Sequence, residues 1–222
     1  MSCHHLRATV LSLAFVLIAA PAPAQTRDER DVPQRQAAEA ALPLLRSAAV
    51  GAGAALLGLR SADEVAGATL GEPFMISAVR LDALRAWDSA TDPRAVILDA
   101  RRVLFPVLIG GDTRTGIEVR EKQGGWKTSA IGGTRVATLL AAARAAHRST
   151  AVPPARGYFA VHVPALNLYF LGVETATGAL QLVPLVEDAR YSMSKVGEPM
   201  NAAAALATLV PAARALDPTQ SN

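Results

Sequence analysis

Cysteine, lysine and the familiar catalytic signatures are what this 222-residue sequence is short of, and each shortage closes a class of function. The one cysteine, Cys3, lies in an N-terminal stretch that reads as removable. The mature chain is therefore expected to hold no disulfide, no cysteine metal site and no thiol nucleophile. Lys122, Lys127 and Lys195 are the only lysines among 22 basic residues, and the arginines are scattered along the chain. A nucleic-acid binder gathers its positive charge on one face or along one helix, so no nucleic-acid partner is expected. Gly-x-Ser-x-Gly, His-Glu-x-x-His and the dinucleotide-binding fingerprint are all missing. No acid or second histidine stands at metal-ligand spacing from His162, and neither a metal nor a cofactor is expected.

The N-terminus carries the strongest positive signal. In "MSCHHLRATVLSLAFVLIAAPAPAQ", Arg7 precedes an apolar core from Ala8 to Ala20, and Ala22 and Ala24 form an A-x-A pattern before Gln25. This order predicts a signal peptide over residues 1–24, cleaved after Ala24, and a periplasmic or secreted soluble protein. The apolar core is shorter than the ~20 residues of a span, and Pro21 ends it, so no transmembrane segment is expected in the mature form. Gln25 stands where a lipid anchor would need cysteine. Loss of Arg7 leaves 21 basic against 19 acidic residues, a formal charge of +2. The polar run at 25–35 is expected to be a flexible leader, and 36–222 a single α+β domain.

That domain is expected to open with N-terminal helices from about Gln36, on an amphipathic stripe of Leu42, Leu45, Ala49 and Ala52. Residues 36–60 can pack on the body, or bind a partner or a membrane surface. Ser61-x-x-Glu64 has the form of a capping box, "PFMISAV" reads as a strand, and "RLDALRAWDS" as a helix turning Leu81, Leu84 and Trp87 inward. Further on, "IGGDTRTG" at 109–116 and "LGVETATG" at 171–178 share one pattern at a spacing of 62 residues. Each sits between apolar strands and is followed by an alanine-rich helix, near 134–148 and 200–216. The match predicts two pseudo-equivalent strand–turn–strand–helix units, about 96–150 and 157–217, around a mainly antiparallel sheet. Gly116 and Gly178 would then be the positive-φ residues of equivalent turns. One acid per copy is too few for a calcium loop.

The glycine-rich "IEVREKQGGWKTSAIGG" at 117–133 invites a phosphate-binding reading. With Lys127-Thr128 as the terminal pair, the two required glycines fall on Glu121 and Trp126, so that reading fails. As a hairpin it favours a three-residue Gln123-Gly124-Gly125 loop, setting Glu121 against Lys127 and Ile117 against Ile131. Thr134 can cap the following helix, whose inward stripe would be Val136, Leu139, Leu140 and Ala143. Arg144, His147 and Arg148 fall in its last turn, where positive charge meets the helix dipole favourably. Pro211 is expected to break the final helix. Glu187-Asp188, adjacent in sequence, would point to opposite faces of a strand.

One catalytic pattern remains. Ser192-x-x-Lys195 matches the Ser-x-x-Lys motif of penicillin-binding proteins and serine β-lactamases, in which a lysine one helical turn away helps activate the serine. No Ser-Asp-Asn follows, Lys127-Thr128-Ser129 is upstream and lacks the glycine, and "VGEP" turns where a nucleophile helix should continue. The sequence therefore points to a non-enzymatic binding or assembly module of the bacterial cell envelope, with a protein, peptide or glycan as partner. The alternative is a serine hydrolase using Ser192 and Lys195.

Overall fold

The computed structural model describes residues 27–150, 157–191 and 196–216. The expected signal peptide and its cleavage point lie outside the described residues. Three N-terminal helical segments, α1 (Arg27–Glu39), α2 (Leu42–Ala48) and the single turn α3 (Gly53–Leu56), precede the strands β1 (Thr69–Leu70) and β2 (Phe74–Val79) and the short helix α4 (Leu81–Ala86). Three strands follow, β3 (Ile97–Ile109), β4 (Asp112–Lys122) and β5 (Gly125–Gly132), and then helix α5 (Thr134–Thr150). The chain ends with β6 (Tyr158–Val163), β7 (Leu168–Glu174), β8 (Leu180–Pro184), β9 (Met200–Asn201) and α6 (Ala202–Ala215).

The strands form one nine-stranded sheet in the order β5-β4-β3-β2-β6-β7-β8-β9, with β1 pairing β3. Every pairing is antiparallel except β2 with β6. The α+β class and the mainly antiparallel sheet are as expected. The sheet is open, with β5 at one edge and β9 at the other.

Two groups of helices, side by side, close one face. The β3 and β4 side chains Val103, Phe105, Val107, Ile117 and Val119 are buried beneath α1, α2 and α3, which contribute Ala38, Leu45, Ala49 and Ala54. Beside them Val161, Val163, Phe170 and Leu182 pack against α4 and α6, which contribute Leu84, Leu206, Leu209 and Ala213. Burial of each such Leu, Phe or Val is worth about 1.5–3 kcal/mol, so this face holds most of the core. Among the described residues the opposite face carries one helix only. There α5 lays Ala137 and Leu140 on Phe74, Ile76, Leu104, Ala160 and Leu171.

Helix α1 begins at Arg27, and Arg35 within it donates to the Leu70 and Gly71 carbonyls. Other expectations are corrected. Ser61 makes no side-chain cap; Glu64 accepts from the Arg60 N–H instead, and the segment Ala62–Gly67 is a 3-10 helix. Pro211 lies inside α6 without ending it. Its ring, and Ala207 whose carbonyl loses a donor, are both on the exposed side, where water can take that hydrogen bond.

The matched octapeptides do not mark equivalent turns. In the first, the β3–β4 reversal is made by Gly110 and Gly111 (φ +61° and +92°), while Gly116 lies within β4 opposite Pro106. In the second, Gly172 is the strand residue, and Gly178 (φ +80°) makes the turn. The two glycines exchange roles between copies because the hairpins fold at different points of the same pattern. A Cβ on Gly116 would meet Leu104 at 2.7 Å and one on Gly172 would meet Phe159 at 2.4 Å, so each strand glycine answers to its own close contact.

The β4–β5 hairpin is also in a different register from the expected one. Lys122 pairs with Gly125 across a two-residue Gln123-Gly124 loop, and Glu121 faces Trp126, not Lys127. A bulge at Ser129 then shifts the register, so that Ile117 does pair with Ile131.

Candidate functional site

The site is built where the single helix α5 fails to cover its face. Along the sheet, Glu118 of β4, Arg102 of β3, His162 of β6 and Tyr169 of β7 share this face, because alternation puts them on the same side as Leu104, Ala160 and Leu171. The bulge turns Ser129 towards them as well. Its hydroxyl donates to Glu118 Oε1 at 2.7 Å. Arg102 donates to both Glu118 oxygens, from Nε at 2.8 Å and from Nη2. The pair is largely sheltered, with side-chain exposures of 19% and 13%.

Electrostatics in this strip are set by the Arg102–Glu118 pair. Burial pushes the Glu118 carboxyl up, but hydrogen bonds from Arg102 and Ser129 and the nearby charges of Arg102 and Arg120 outweigh it, and the pKa is lowered. The Arg102 guanidinium is raised in turn, first by its bond to Glu118. His162 stacks on Tyr169, ring centroids 4.0 Å apart and planes within 7°. Burial lowers the His162 pKa to about 4, with the Arg102 charge adding to the effect and Glu118 opposing it. The imidazole is therefore neutral at pH 7, and its Nδ1 has no hydrogen-bond partner among the described residues. Burial raises the Tyr169 phenol.

Tyr169 is the hinge of the available space. A small pocket of about 80 Å³ lies between it, Glu118, Leu104 and Val136. A larger cleft of about 260 Å³ also borders Tyr169, with Val136, Leu139, Leu185 and Val186 as its aliphatic lining; Leu168 reaches it from β7, its side chain being packed in the closed-face core. The rim of that cleft carries Arg135, Asn167, Glu187, Asp188 and Arg190. Asp188 is held by its neighbour Arg190, whose Nε and Nη2 donate to its two oxygens at 2.9 and 2.7 Å.

The chemistry available to this arrangement is recognition more than proton transfer. A general base must take a proton near neutral pH. Glu118 is a poor one, because Arg102 and Ser129 occupy its lone pairs and hold its pKa down. Ser129 is thus bonded to a carboxylate but not activated by it. An aromatic and aliphatic floor with charges of both signs at the rim suits an amphipathic ligand.

The residues singled out in the sequence fall in several places. Ser192 and Lys195 lie outside the described residues; the chain before them ends at Tyr191, which is buried in the core beneath α6. His147 is buried at the far end of α5, with Nδ1 3.1 Å from the Tyr158 hydroxyl, a packing role in keeping with its helix-end position. Arg144 is not a surface cation: it is buried, donates to the Glu72 carbonyl at 2.9 Å and sits 4.1 Å over the Phe74 ring. Thr134 does not cap α5 with its side chain, which bonds Thr115 at 3.4 Å. Lys127 and Thr128 are residues of β5, and the Thr128 hydroxyl donates to the Ala37 carbonyl of α1. Glu187 and Asp188 belong to no strand, and both line the cleft, contrary to the opposite-face expectation.

Residues missed in the sequence are Arg102, Glu118, Ser129 and Tyr169. Tyr169 comes from a strand far from the other three in the chain, the Arg102–Glu118 pairing depends on hairpin register, and the bulge that turns Ser129 leaves no composition signal. The inward stripe of α5 is rotated from the expected one, to Ala137, Leu140, Arg144 and His147, which frees Val136 and Leu139 to line the cleft. Among the described residues no group of three His, Cys, Asp or Glu could hold a metal ion. No helix among them is long and apolar enough to cross a membrane. No family model, curated protein or solved structure matches the chain.

Proposed function

We propose that this chain is an exported binding module of the bacterial envelope, taking a peptide segment with an apolar side chain in the cleft beside α5. The observation that carries the reading is the cleft itself. Tyr169 has one ring face stacked on His162 and also walls a space of about 260 Å³, with aliphatic side chains below and Arg135, Glu187, Asp188 and Arg190 around its mouth. An apolar side chain seated on that floor, with the peptide's polar backbone towards the rim, fits the general anatomy of a small recognition site. Export is supported by Arg7, the apolar core Ala8–Ala20 and the Ala22-Pro23-Ala24 end of the N-terminal segment. Intact mass of the protein recovered from the envelope fraction tests it: the expected N-terminus is Gln25.

Binding is tested by a photo-crosslinking residue at Leu139 in the producing cell, beside a control at the exposed Arg214 on the other side of the sheet. The expected result is a peptide or protein adduct specific to position 139 and lost in Tyr169→Ala. A glycan adduct would change the ligand class, and equal adducts at both positions would remove the cleft as the site. The competing serine hydrolase is decided separately: a fluorophosphonate label on Ser192, abolished by Lys195→Ala in a protein of unchanged thermal midpoint, would replace the module by an enzyme.

A further inference from the structure

We propose that the outward surface of α2, α3 and the loop joining them docks on the anionic headgroup layer of a lipid bilayer. Val32, Leu44, Val50 and Leu56 are large apolar side chains left exposed within residues 32–56, and Leu56 is 83% exposed. Their neighbours Leu45, Ala49, Ala54 and Leu57 are buried against the sheet, so these segments are apolar on two sides, one clamped to the body and one turned to water. Beneath them the fold is complete. The outer apolar side chains therefore add nothing to the core and have no packing partner among the described residues.

Charge selects the occupant. From Ala40 to Ala62 the sequence contains no acid and two arginines, Arg46 and Arg60. Among the described residues each arginine makes one long ion pair with an acid just beyond this run, Arg46 with Asp63 at 3.7 Å and Arg60 with Glu64 at 3.9 Å, and the arginine side chains are 59% and 83% exposed. Exposed pairs of this kind hold their partners weakly, so both guanidiniums can turn to lipid phosphates. An apolar ridge flanked by arginine is the composition of a segment that lies in the headgroup region, and an anionic leaflet attracts it. A protein interface would want a polar rim able to hydrogen-bond; the one polar uncharged side chain between Ala40 and Arg60 is Ser47, which already donates to the Pro43 carbonyl. The expected signal segment ends next to α1 and would bring this surface to a membrane during export.

The placement is also compatible with binding elsewhere. Helices α1 to α3 cover the face of the sheet that carries Phe105 and Ile117, whereas the cleft lies on the opposite face beside α5. Docking through α2 and α3 leaves the cleft open to solvent.

The test is flotation of the full-length gene product, as recovered from the producing cell, with vesicles of phosphatidylethanolamine and phosphatidylglycerol, and with vesicles of phosphatidylcholine alone. Binding to the anionic vesicles is expected, falling at high ionic strength. In Val50→Ser/Leu56→Ser it should drop about tenfold or more, since two side chains lose their burial in lipid. The thermal midpoint should not change, because neither side chain is in the core. Absence of binding by the unaltered protein, equal binding to phosphatidylcholine, or binding that survives the double substitution, through a retained leader or another surface, would each overturn the proposal. So would a dimer abolished by the same substitutions, which would assign this surface to a second copy of the chain.

Discussion

The two faces of the sheet are built from the same strands and have opposite characters. On the closed face β3 and β4 present Val103, Phe105, Val107, Ile117 and Val119 to α1, α2 and α3. On the open face the same two strands present Arg102, Leu104, Gly116 and Glu118, apolar under α5 and charged beyond it. The difference is one of area. Eight strands about 4.8 Å apart make a sheet about 34 Å wide, whereas one helix is about 10 Å across. Five helical segments are enough to close one face; one helix on the other must leave strand side chains in contact with water. The polar strip and the cleft are that remainder.

The sharpest break of this comparison is to damage the closed face. Phe105→Ala, at a fully buried position beneath α1, should cost about 3–5 kcal/mol in urea unfolding, by lost transfer energy and the cavity left behind. A cost near 1 kcal/mol would mean that the closed face is not the main core.

On the open face the ion pair should matter less. Arg102→Met should cost about 2 kcal/mol, below the range for a fully buried pair because both partners retain some exposure. The effect has a pH signature. The Glu118 pKa is lowered in the fold, so its contribution is present above the unfolded carboxylate value near 4.3 and is lost as pH falls through the lower folded value. Glu118→Gln should flatten that acid limb of the stability curve.

His162 gives a second acid limb, at higher pH. Its folded pKa of about 4 is below the ordinary value of 6.5, so between these values the unfolded chain binds the proton and the folded chain does not. Stability is then full above about pH 6.5 and declines down to about pH 4, by about 1–2 kcal/mol after allowance for partial exposure. His162→Phe, which keeps a ring against Tyr169, should remove this slope and leave stability at pH 7 no lower. A slope that persists in the variant would show that another group titrates there.

The smallest effect is expected on the solvent side of the closed face's own helices. Pro211→Ala in α6 should raise the unfolding free energy by about 0.5 kcal/mol, as the carbonyl of Ala207 regains a donor and the unfolded chain's gain in freedom offsets only part of that. A loss of stability there would mean that the ring packs where the structure leaves it exposed.

Much of the secondary structure was legible because it rests on local pattern. The strand of Phe74–Val79, the helices near 134–148 and 200–216, and the inward Leu84 and Trp87 all follow from periodicity and turn chemistry. Repetition of sequence was a poorer guide. Two octapeptides of one pattern fold their turns at different glycines, and the glycine left in the strand lies against Leu104 in one and Phe159 in the other. Neither neighbour is near its glycine in the chain.

By itself the sequence determined which segments are apolar on one side, which reversals need glycine, that Cys3 is the one thiol, and that the N-terminus has the order of an export signal. Those are properties of a residue and its near neighbours, and the chain carries them before it folds. Tertiary structure alone decided that Arg102 and Glu118 pair across two strands, that a bulge turns Ser129 to the same carboxylate, that Tyr169 stacks on His162, and that Val136 and Leu139 face a cleft instead of the core. The physical reason is that these contacts depend on strand register and on how far one helix reaches across a wide sheet. Both are set by the packing of the whole chain.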